Sequence, residues 1–221
     1  MSKIGYFITC ILLLSGCATT APTPYDYSAY RASNPKSILV LPPVNKSPDT
    51  KASLGFYSNT QRPLAEAGYY VFPISLVHET FKNNGFTEYD DIHQINPAKL
   101  HEIFGADAAM YITITKYGTS YRVIASESAV SANATLVDLR SGATLWEGSA
   151  SANSNEGKNN NQGGLAALLV EAIIKQVVGT IVDESHGVSK ITNARLFSAG
   201  TSQGRGILYG PYHPNFDNST K

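Results

Sequence analysis

Histidines and carboxylates that could bind a metal ion occur close together in one part of the chain. His93 follows Asp90 and Asp91, and His101 is followed directly by Glu102. Imidazole and carboxylate groups are common ligands of zinc. His101 and Glu102, however, are neighbours in a predicted helix, and adjacent helical side chains point to different sides. The pattern therefore favours a solvated loop and helix face over a metal site.

Sequence motifs of the common catalytic sites are absent. The chain has no G-x-S-x-G elbow, no P-loop, no H-E-x-x-H helix and no C-x-x-C pair. The run Gly204-Arg205-Gly206 is not framed by a strand and a helix, as a phosphate-binding loop would be. Asp107 and Asp138 stand where turn residues are expected. We predict a protein that is not an enzyme and that binds no metal and no cofactor.

The residues that precede Cys17 predict that its sulfur is a site of lipid attachment. Lys3 supplies a positive start, and residues 4–14 form an apolar run too short to span a membrane comfortably. The run Leu14-Ser15-Gly16-Cys17 resembles the lipobox of bacterial lipoproteins. In such signals the cysteine sulfur receives diacylglycerol, cleavage falls between Gly16 and Cys17, and the new amine is acylated, for example with palmitate. The alternative is an ordinary secretory signal that contains a cysteine.

The predicted location follows from the residues around this anchor. Cys10 lies in the part to be removed, so no intrachain disulfide can form. Ala18 is not the aspartate that often retains lipoproteins in the inner membrane. We expect an outer-membrane protein that faces the periplasm, with display on the outer surface left open. The predicted divisions are a signal peptide at 1–16, a lipidated tether at 17–36, a periplasmic α/β domain at 37–214 and a loose tail at 215–221.

Composition argues against a nucleic-acid partner. Lys+Arg and Asp+Glu number 17 each, which gives a formal net charge of +0 at pH 7. The chain has no basic run and no acidic tail. A protein without a positive field has little attraction for nucleic acid or for an anionic surface.

Residues 109–152 are predicted to form three antiparallel strands in succession. Met110, Ile112 and Ile114 alternate with polar residues, which is typical of a strand with two different faces. We expect turns at 117–120 and at 140–142, where a glycine can adopt a left-handed conformation. The third strand carries Trp146. Small residues in the middle strand indicate that another element packs closely over it.

The residues before this meander alternate between strands and helices. The predicted elements are a strand at 37–41, a helix at 54–67 bent at Pro63, a strand at 69–72, a helix at 74–84, a polar loop at 87–95, and a helix that starts at Asn96-Pro97, buries Leu100, Ile103 and Phe104, and stops at Gly105. This order predicts a single α/β (α+β) domain in which helices pack on a mixed sheet that ends in the antiparallel meander.

Residues 165–182 are predicted to form the last helix, the most apolar segment after the signal. A membrane-spanning helix is disfavoured because Glu171, Lys175 and Gln176 lie near its middle. The apolar surface exceeds what one sheet face can cover, so we expect part of it to contact a second copy, as in a homodimer, or a partner. The candidate interface residues are Leu169, Ile173, Ile174, Val177 and Val178. Beyond residue 183 the secondary-structure signal weakens.

Several short runs resemble a family of uncharacterised outer-membrane lipoproteins of the genome-derived Neisseria antigen type. They are YDY at 25–27, SILVLPP at 37–43, LAEAGYYV at 64–71, ETFK at 79–82, FGADA at 104–108, YGTSY at 117–121 and LYGP at 208–211. The hairpin at 137–142 with Leu145-Trp146 is similar to one in wider relatives. The Asn-rich loop at 153–164 departs from the family pattern.

The resemblance implies both a fold and a role. The implied fold is similar to the N-terminal domain of TolB and to lipoproteins of the curli secretion channel. The implied role is that of a dimeric auxiliary in an envelope transport or secretion assembly, with envelope proteins as partners and no catalytic residues. Activators of peptidoglycan synthesis share related domains and form the alternative, although the short tether counts against it.

The lipid anchor can be tested by blocking its processing. Globomycin, or the substitution Cys17→Ser, should cause the unprocessed precursor to accumulate, because lipidation must precede cleavage. Immunoblotting and incorporation of a labelled fatty acid provide the measurement. Cys10→Ser is the matched control and should leave processing unchanged, and normal maturation of Cys17→Ser would contradict the anchor.

Overall fold

The computed structural model describes residues 25–121, 126–156, 184–200 and 205–216, without the side chains of Tyr121 and Ser126. The predicted signal peptide, Cys17 and the apolar segment 165–182 with its candidate interface residues lie outside these ranges. Within the described ranges, no helix combines the length and apolar character that crossing a bilayer requires.

One mixed sheet organises the described residues. Its strands are β1 (Ser37–Val40), β2 (Val44–Asn45), β3 (Tyr70–Val71), β4 (Ala108–Tyr121), β5 (Ser126–Asp138) and β6 (Thr144–Asn153). The order is β3-β1-β4-β5-β6, and β2 pairs with β4 off this path. Strands β1 and β2 run parallel to β4, whereas β4, β5 and β6 form an antiparallel meander. The predicted mixed sheet with its meander is confirmed.

The first predicted turn of the meander is wrong. Strand β4 continues through 117–120 to Tyr121, and Gly118 pairs with Ala129 although its φ is +125°. The register shifts between Ile114 and Lys116, so the strand contains an irregularity instead of a turn. The second turn is confirmed, because Gly142 has a φ of +74° and its N–H donates to the carbonyl of Asp138.

Seven short helices accompany the sheet in the described ranges. They are α1 (Ser28–Ser33), α2 (Ala52–Tyr57), α3 (Gln61–Glu66), α4 (Ile74–Asn83), α5 (Tyr89–His93), α6 (Pro97–Phe104) and α7 (Glu184–Leu196). The predicted helix at 54–67 is interrupted at residues 58–60, which separate α2 from α3, whereas Pro63 lies in the first turn of α3 and not at the break. Asn96 caps α6 by accepting a hydrogen bond from Ala98 N at 2.9 Å, and Gly105 ends it in the left-handed conformation, both as predicted.

Two predictions about burial are wrong. Residues 87–95 are not only a polar loop, because α5 forms there and buries Ile92 completely. Ile103 is 50% exposed, because Leu100 is the residue of α6 that enters the core. One apolar side chain in a short amphipathic stretch was therefore assigned to the wrong face of its helix.

The sheet separates two apolar cores. The larger core lies on one face, where Met110, Ile112, Leu136 and Trp146 are buried together with residues of α2 and α7. The smaller core covers β1 and the start of β4 on the other face. Helices α4, α5 and α6 close the smaller core with β1 through Leu39, Leu41, Val77, Phe81, Ile92 and Leu100. Each fully buried side chain of this kind contributes about 1.5–3 kcal/mol.

Helix α7 packs over the small residues of β5, which confirms that another element covers the middle strand. The sequence did not predict this helix, because the buried residues Ser185, Ser189, Thr192 and Asn193 are small and polar. The Thr192 hydroxyl lies 3.3 Å from the carbonyl of Val130 in β5 and 3.1 Å from that of Val188. The Nδ2 of Asn193 likewise donates to the carbonyl of Phe56 at 3.3 Å, so α7 adds bonds to other elements when it packs on them.

The indole of Trp146 lies directly over Gly148, which yields a stability prediction. A Cβ atom at position 148 would overlap the Trp146 ring, so Gly148→Ala must displace the indole. Overpacking of this kind costs about 1–3 kcal/mol of unfolding free energy. Urea unfolding followed by fluorescence of the only tryptophan provides the measurement. Ser149→Ala, at an exposed neighbour, is the matched control, and equal midpoints for both variants would contradict the packing.

Candidate functional site

His93 and Asp90 each have a structural partner of their own. The Nε2 atom of His93 lies 3.0 Å from the carbonyl oxygen of Pro42, so this nitrogen carries the proton and donates. Burial lowers the pKa of His93, an effect that this hydrogen bond and the charge of Asp90 oppose only in part. The carboxylate of Asp90 pairs with Lys46 at 2.7 Å on the surface. His93 is therefore best described as a neutral residue that ties α5 to the end of β1.

His101 and Glu102 are separated in the same way. His101 Nδ1 donates to the carbonyl of Ala106 at 2.7 Å, whereas Glu102 pairs with Lys99 at 2.9 Å on the exposed side of α6. Among the described residues, no group of three histidine, cysteine or carboxylate side chains is placed to hold a metal ion.

Asp107 and Asp138 tie three parts of the chain together. Asp107 Oδ2 accepts hydrogen bonds from Lys36 N at 3.0 Å and from the backbone and hydroxyl of Ser37 at 3.1 and 3.0 Å. Its Oδ1 pairs with Arg140 at 2.9 Å. Partial burial by itself would raise the pKa of Asp107, but these donors and the Arg140 charge together hold it below its ordinary value.

Asp138 is bonded at the beginning of the second hairpin turn. Its Oδ1 accepts from Arg140 N at 3.0 Å and from the backbone and hydroxyl of Ser141 at 2.7 and 2.8 Å, and its Oδ2 accepts from the hydroxyl of Ser33. Burial would raise the pKa of Asp138, and these donors outweigh it and lower the pKa. Both aspartates are thus structural residues, as the sequence indicated, and their oxygens are occupied.

Two tyrosines of β4, Tyr111 and Tyr117, belong to different cores. Tyr117 is buried in the larger core. Tyr111 packs against the smaller core, with its ring edge-on to His93 at a centroid distance of 5.3 Å. The irregularity in β4 between these residues explains the change of face. Nothing is described for the side chain of Tyr121.

A row of aromatic rings begins at the β3 edge of the sheet. Tyr70 contacts Phe72 at a centroid distance of 5.2 Å, Phe72 contacts Phe104 at 6.4 Å, and Phe104 contacts the buried ring of Phe81 at 5.4 Å. Tyr70 is 52% exposed, and Ile103, beside Phe104 in α6, is 50% exposed. We call Tyr70, Phe72, Ile103 and Phe104 the aromatic edge. Exposed apolar side chains beside a row of packed aromatic rings are typical of a protein–protein contact.

The sequence contained a weak signal for this surface. Tyr69-Tyr70-Val71-Phe72 alternates in a short strand, so one of its aromatic residues had to face outward or lie at an edge. Tyr69 and Val71 are buried, whereas Tyr70 is exposed. Ile103 had been assigned to the core, and only the packing of α6 shows that it is exposed.

Residues 25–36, which we call the N-terminal strap, begin at the opposite edge of the sheet and end beside β3, where the Lys36 carbonyl accepts a hydrogen bond from Tyr70 N at 3.0 Å. The Tyr25 hydroxyl accepts a hydrogen bond from Glu147 N in β6 at 3.0 Å, and the Tyr27 hydroxyl donates to the carbonyl of Gly206 at 2.5 Å. The hydroxyls of Tyr30 and Tyr69 lie 2.7 Å apart within the core. The strap therefore belongs to the folded domain, whereas the sequence had placed these residues in the tether at 17–36.

A set of polar bonds joins the two chain segments that flank residues 157–183. Ser128 Oγ donates to Glu184 at 2.6 Å, and Ser154 exchanges hydrogen bonds with the backbone of Ser128. Glu156 pairs with Arg195 at 2.6 Å. Both ends of the intervening segment thus leave the sheet at the end where β5 begins and β6 finishes.

A shallow depression lies between α3 and the end of α7. Its volume is about 240 Å³, and Pro63, Ala67, Phe197 and Tyr209 are among the residues that line it. Its one carboxylate, Glu66, pairs with Arg62 at 2.7 Å. The lining residues therefore offer no nucleophile with a general base beside it.

Comparison with known proteins gives a family match over most of the chain. The model of the family described as "Putative lipoprotein GNA1162-like" matches residues 25–212. The Neisseria meningitidis serogroup B protein "Putative lipoprotein NMB1124/NMB1162" is 47% identical over 204 residues, which cover 92% of this chain and 93% of the relative.

Solved structures extend the comparison to the fold. The crystal structure of lipoprotein GNA1162 from Neisseria meningitidis is 53% identical, covers 66% of this chain and 100% of its own, and has a TM-score of 0.54. This match confirms the predicted α/β domain. A PelC dodecamer from Paraburkholderia phytofirmans is 12% identical over 73% of this chain and 86% of its own, with a TM-score of 0.43. A likeness that low adds nothing to the functional argument.

The bonds of Asp138 predict how stability depends on pH. Asp138→Asn should lower the unfolding free energy at neutral pH by about 2 kcal/mol, because hydrogen bonds to a charged group contribute about 1.5–3 kcal/mol. Since folding lowers the pKa of Asp138 from its ordinary 3.8, this stabilisation is present above pH 3.8 and is lost as the pH falls through the folded-state pKa.

Urea unfolding over a series of pH values measures the difference between the wild type and this variant. The difference should shrink in acid. Glu66→Gln is the control, because it alters an exposed carboxylate and should have little effect. A difference that stays constant with pH would show that the charge of Asp138 does not contribute.

Proposed function

Because the chain belongs to the GNA1162-like lipoprotein family, we propose that it is a lipid-anchored scaffold without catalytic activity, an auxiliary of a transport or secretion assembly in the bacterial envelope. The family resemblance predicted from the sequence is confirmed. Membership in a lipoprotein family supports an anchored protein of the cell envelope. The role as a scaffold and the membership in a transport or secretion assembly are what we propose beyond the family.

The aromatic edge is the observation that carries this proposal. Tyr70 and Ile103 are each about half exposed, and the row of rings from Tyr70 through Phe72 and Phe104 to Phe81 extends into the smaller core. The side chains that could perform chemistry are instead engaged in structural bonds, as His93, Asp107 and Asp138 illustrate. This combination supports a protein that acts through contact, and we assign the aromatic edge as the surface that receives an apolar patch of an envelope protein.

The anchor and the oligomeric state complete the proposal. Cys17 carries the lipid, Gly16 precedes the cleavage point, and the domain faces the periplasm from the outer membrane. Two copies associate through the apolar segment 165–182, with Leu169, Ile173, Ile174, Val177 and Val178 as the interface residues. A lipoprotein of the type found in the curli secretion channel is the kind of envelope partner that we propose.

Regulation of peptidoglycan synthesis is the competing function. An activator of a synthase must extend from the outer membrane to the cell wall. Because the N-terminal strap is bound to the domain from Tyr25 onward, the stretch left to act as a tether is shorter than the sequence division at residue 36 indicated. This observation favours the scaffold over the activator.

Site-specific crosslinking in intact cells tests the two functions. A photoreactive benzoylphenylalanine in place of Ile103 should capture a transport or secretion component, because the side chain at this position lies in the proposed contact. The same probe in place of Ile174 should capture a second copy of this chain. Mass spectrometry identifies the captured proteins.

Ala98 provides the matched control position, since it is exposed on the same helix as Ile103 but belongs to another part of its circumference. Capture of a peptidoglycan synthase from position 103 would establish the competing function. Equal capture from positions 98 and 103 would contradict the aromatic edge as the contact surface.

A further inference from the structure

The N-terminal strap fixes the point at which the chain leaves the domain. Tyr25 is bonded to β6 through Glu147 N, and Tyr27 is bonded to Gly206. Ser33 donates to Asp138 at the start of the second hairpin turn. Attachments spaced along the strap hold it better than one contact could. The chain therefore departs toward its N-terminus from a defined place beside the β6 edge.

Only a short stretch remains between this place and Cys17. At about 3.5 Å per residue, residues 17–24 reach at most ~28 Å when fully extended. Counting from residue 36 instead would have allowed about 60 Å or more. If the sulfur of Cys17 is held in the bilayer, which is part of the function proposed above, Tyr25 must remain within ~28 Å of the lipid headgroups.

The strand order shows which edge of the sheet the short tether keeps near the membrane. Strand β6 stands at one edge and β3 at the other, with β1, β4 and β5 between them. Neighbouring strands lie about 4.8 Å apart, so the two edges are separated by roughly 19 Å. The β6 edge therefore stays within ~28 Å of the headgroups, whereas the β3 edge can lie up to roughly 47 Å away.

The chemistry of the two edges agrees with this arrangement. Thr144, Glu147, Ser149 and Ser151 are the exposed residues of β6, and all are polar. The large apolar side chains that are exposed in the described ranges are Leu54, Tyr70, Leu76, Phe86, Ile103 and Tyr212, and none of them belongs to β6 or α1. A hydrated headgroup layer suits a polar edge, whereas an apolar protein partner suits the other one.

We propose that the docked strap holds the β6 edge against the surface of the membrane that carries the lipid anchor and presents the β3 edge to the envelope space. The partner of the β6 edge is thus the lipid surface itself. This inference rests on the lipid anchor of the proposed function and adds to it the orientation of the domain.

Fluorescence quenching in vesicles tests the orientation. Lipidated full-length protein with Ser149→Cys in β6 or Ser75→Cys, which follows β3 by a few residues, receives a small fluorophore. Both positions are exposed, and the only cysteine of the mature chain would be blocked by lipid. The vesicles contain phosphatidylethanolamine, phosphatidylglycerol and a lipid with a nitroxide on its headgroup.

The label at 149 should be quenched about twofold or more relative to the label at 75, because roughly 19 Å separates the two edges. Inserting a long Gly-Ser linker between Ala21 and Pro22 should abolish this difference, since the domain can then turn freely. Equal quenching at both positions, stronger quenching at 75, or a difference that survives the linker would overturn the inference.

Flotation of the same vesicles separates this result from the anchor itself. Protein that fails to float with the vesicles contradicts the lipid anchor, and the orientation with it. Protein that floats but shows equal quenching contradicts the orientation alone and leaves the proposed scaffold function standing. Tyr27→Phe, which removes the hydroxyl bonded to Gly206, should reduce the difference between the two labels and ties it to the strap.

Discussion

The pairing of β4 on both of its edges is the constraint on which the rest of the structure depends. One edge bonds in parallel with β1 and β2, and the other bonds antiparallel with β5 along nearly its whole length. A buried strand must satisfy its backbone N–H and C=O groups on both sides, because water cannot reach them. Met110, Ile112 and Ile114 are fully buried, so β4 has no alternative to this central place. The parallel half of the chain and the meander are joined through this strand.

Placing β4 at the centre makes β3 and β6 the two edges, and the chain treats them differently. Along β6, outward backbone groups are bonded to Tyr25, Arg195 and Glu156. Bonds of this kind prevent an edge strand from pairing with another sheet. Strand β3 has only two residues and instead carries the exposed ring of Tyr70. One edge is thus closed by the protein's own segments, whereas in the described ranges β3 pairs only with β1.

Asp107 and Asp138 stabilise this arrangement. Asp107 joins the entry to β1 with the turn after β5, and Asp138 joins the same turn with the N-terminal strap. A carboxylate that accepts several hydrogen bonds is a structural tie with little capacity left for a substrate. The tertiary bonds of these groups agree with our proposal that the protein acts through contact. They also explain how the N-terminal strap is held against the turn between β5 and β6.

Local patterns were sufficient wherever a short stretch of chain decides its own conformation. Alternation at residues 110–114, the cap at Asn96, the left-handed glycines at 105 and 142, and the linear signal at Cys17 can each be read without knowledge of distant neighbours. The first three are confirmed by the described structure, and the lipidation of Cys17 remains a prediction. The family resemblance, which also rests on short runs, was recognised correctly for the same reason.

Features that depend on contacts between distant segments of the chain could be identified only from the tertiary structure. Helix α7 buries serines, a threonine and Asn193, and Thr192 gains the carbonyl of Val130 as a second acceptor when the helix lies over β5. Ile103 is exposed because Leu100 fills the available core, and Gly118 continues a strand because Ala129 pairs with it. Sequence alone therefore determined the elements and the predicted anchor, whereas the identity of the exposed surface depended on packing, since burial is a property of two segments and not of one.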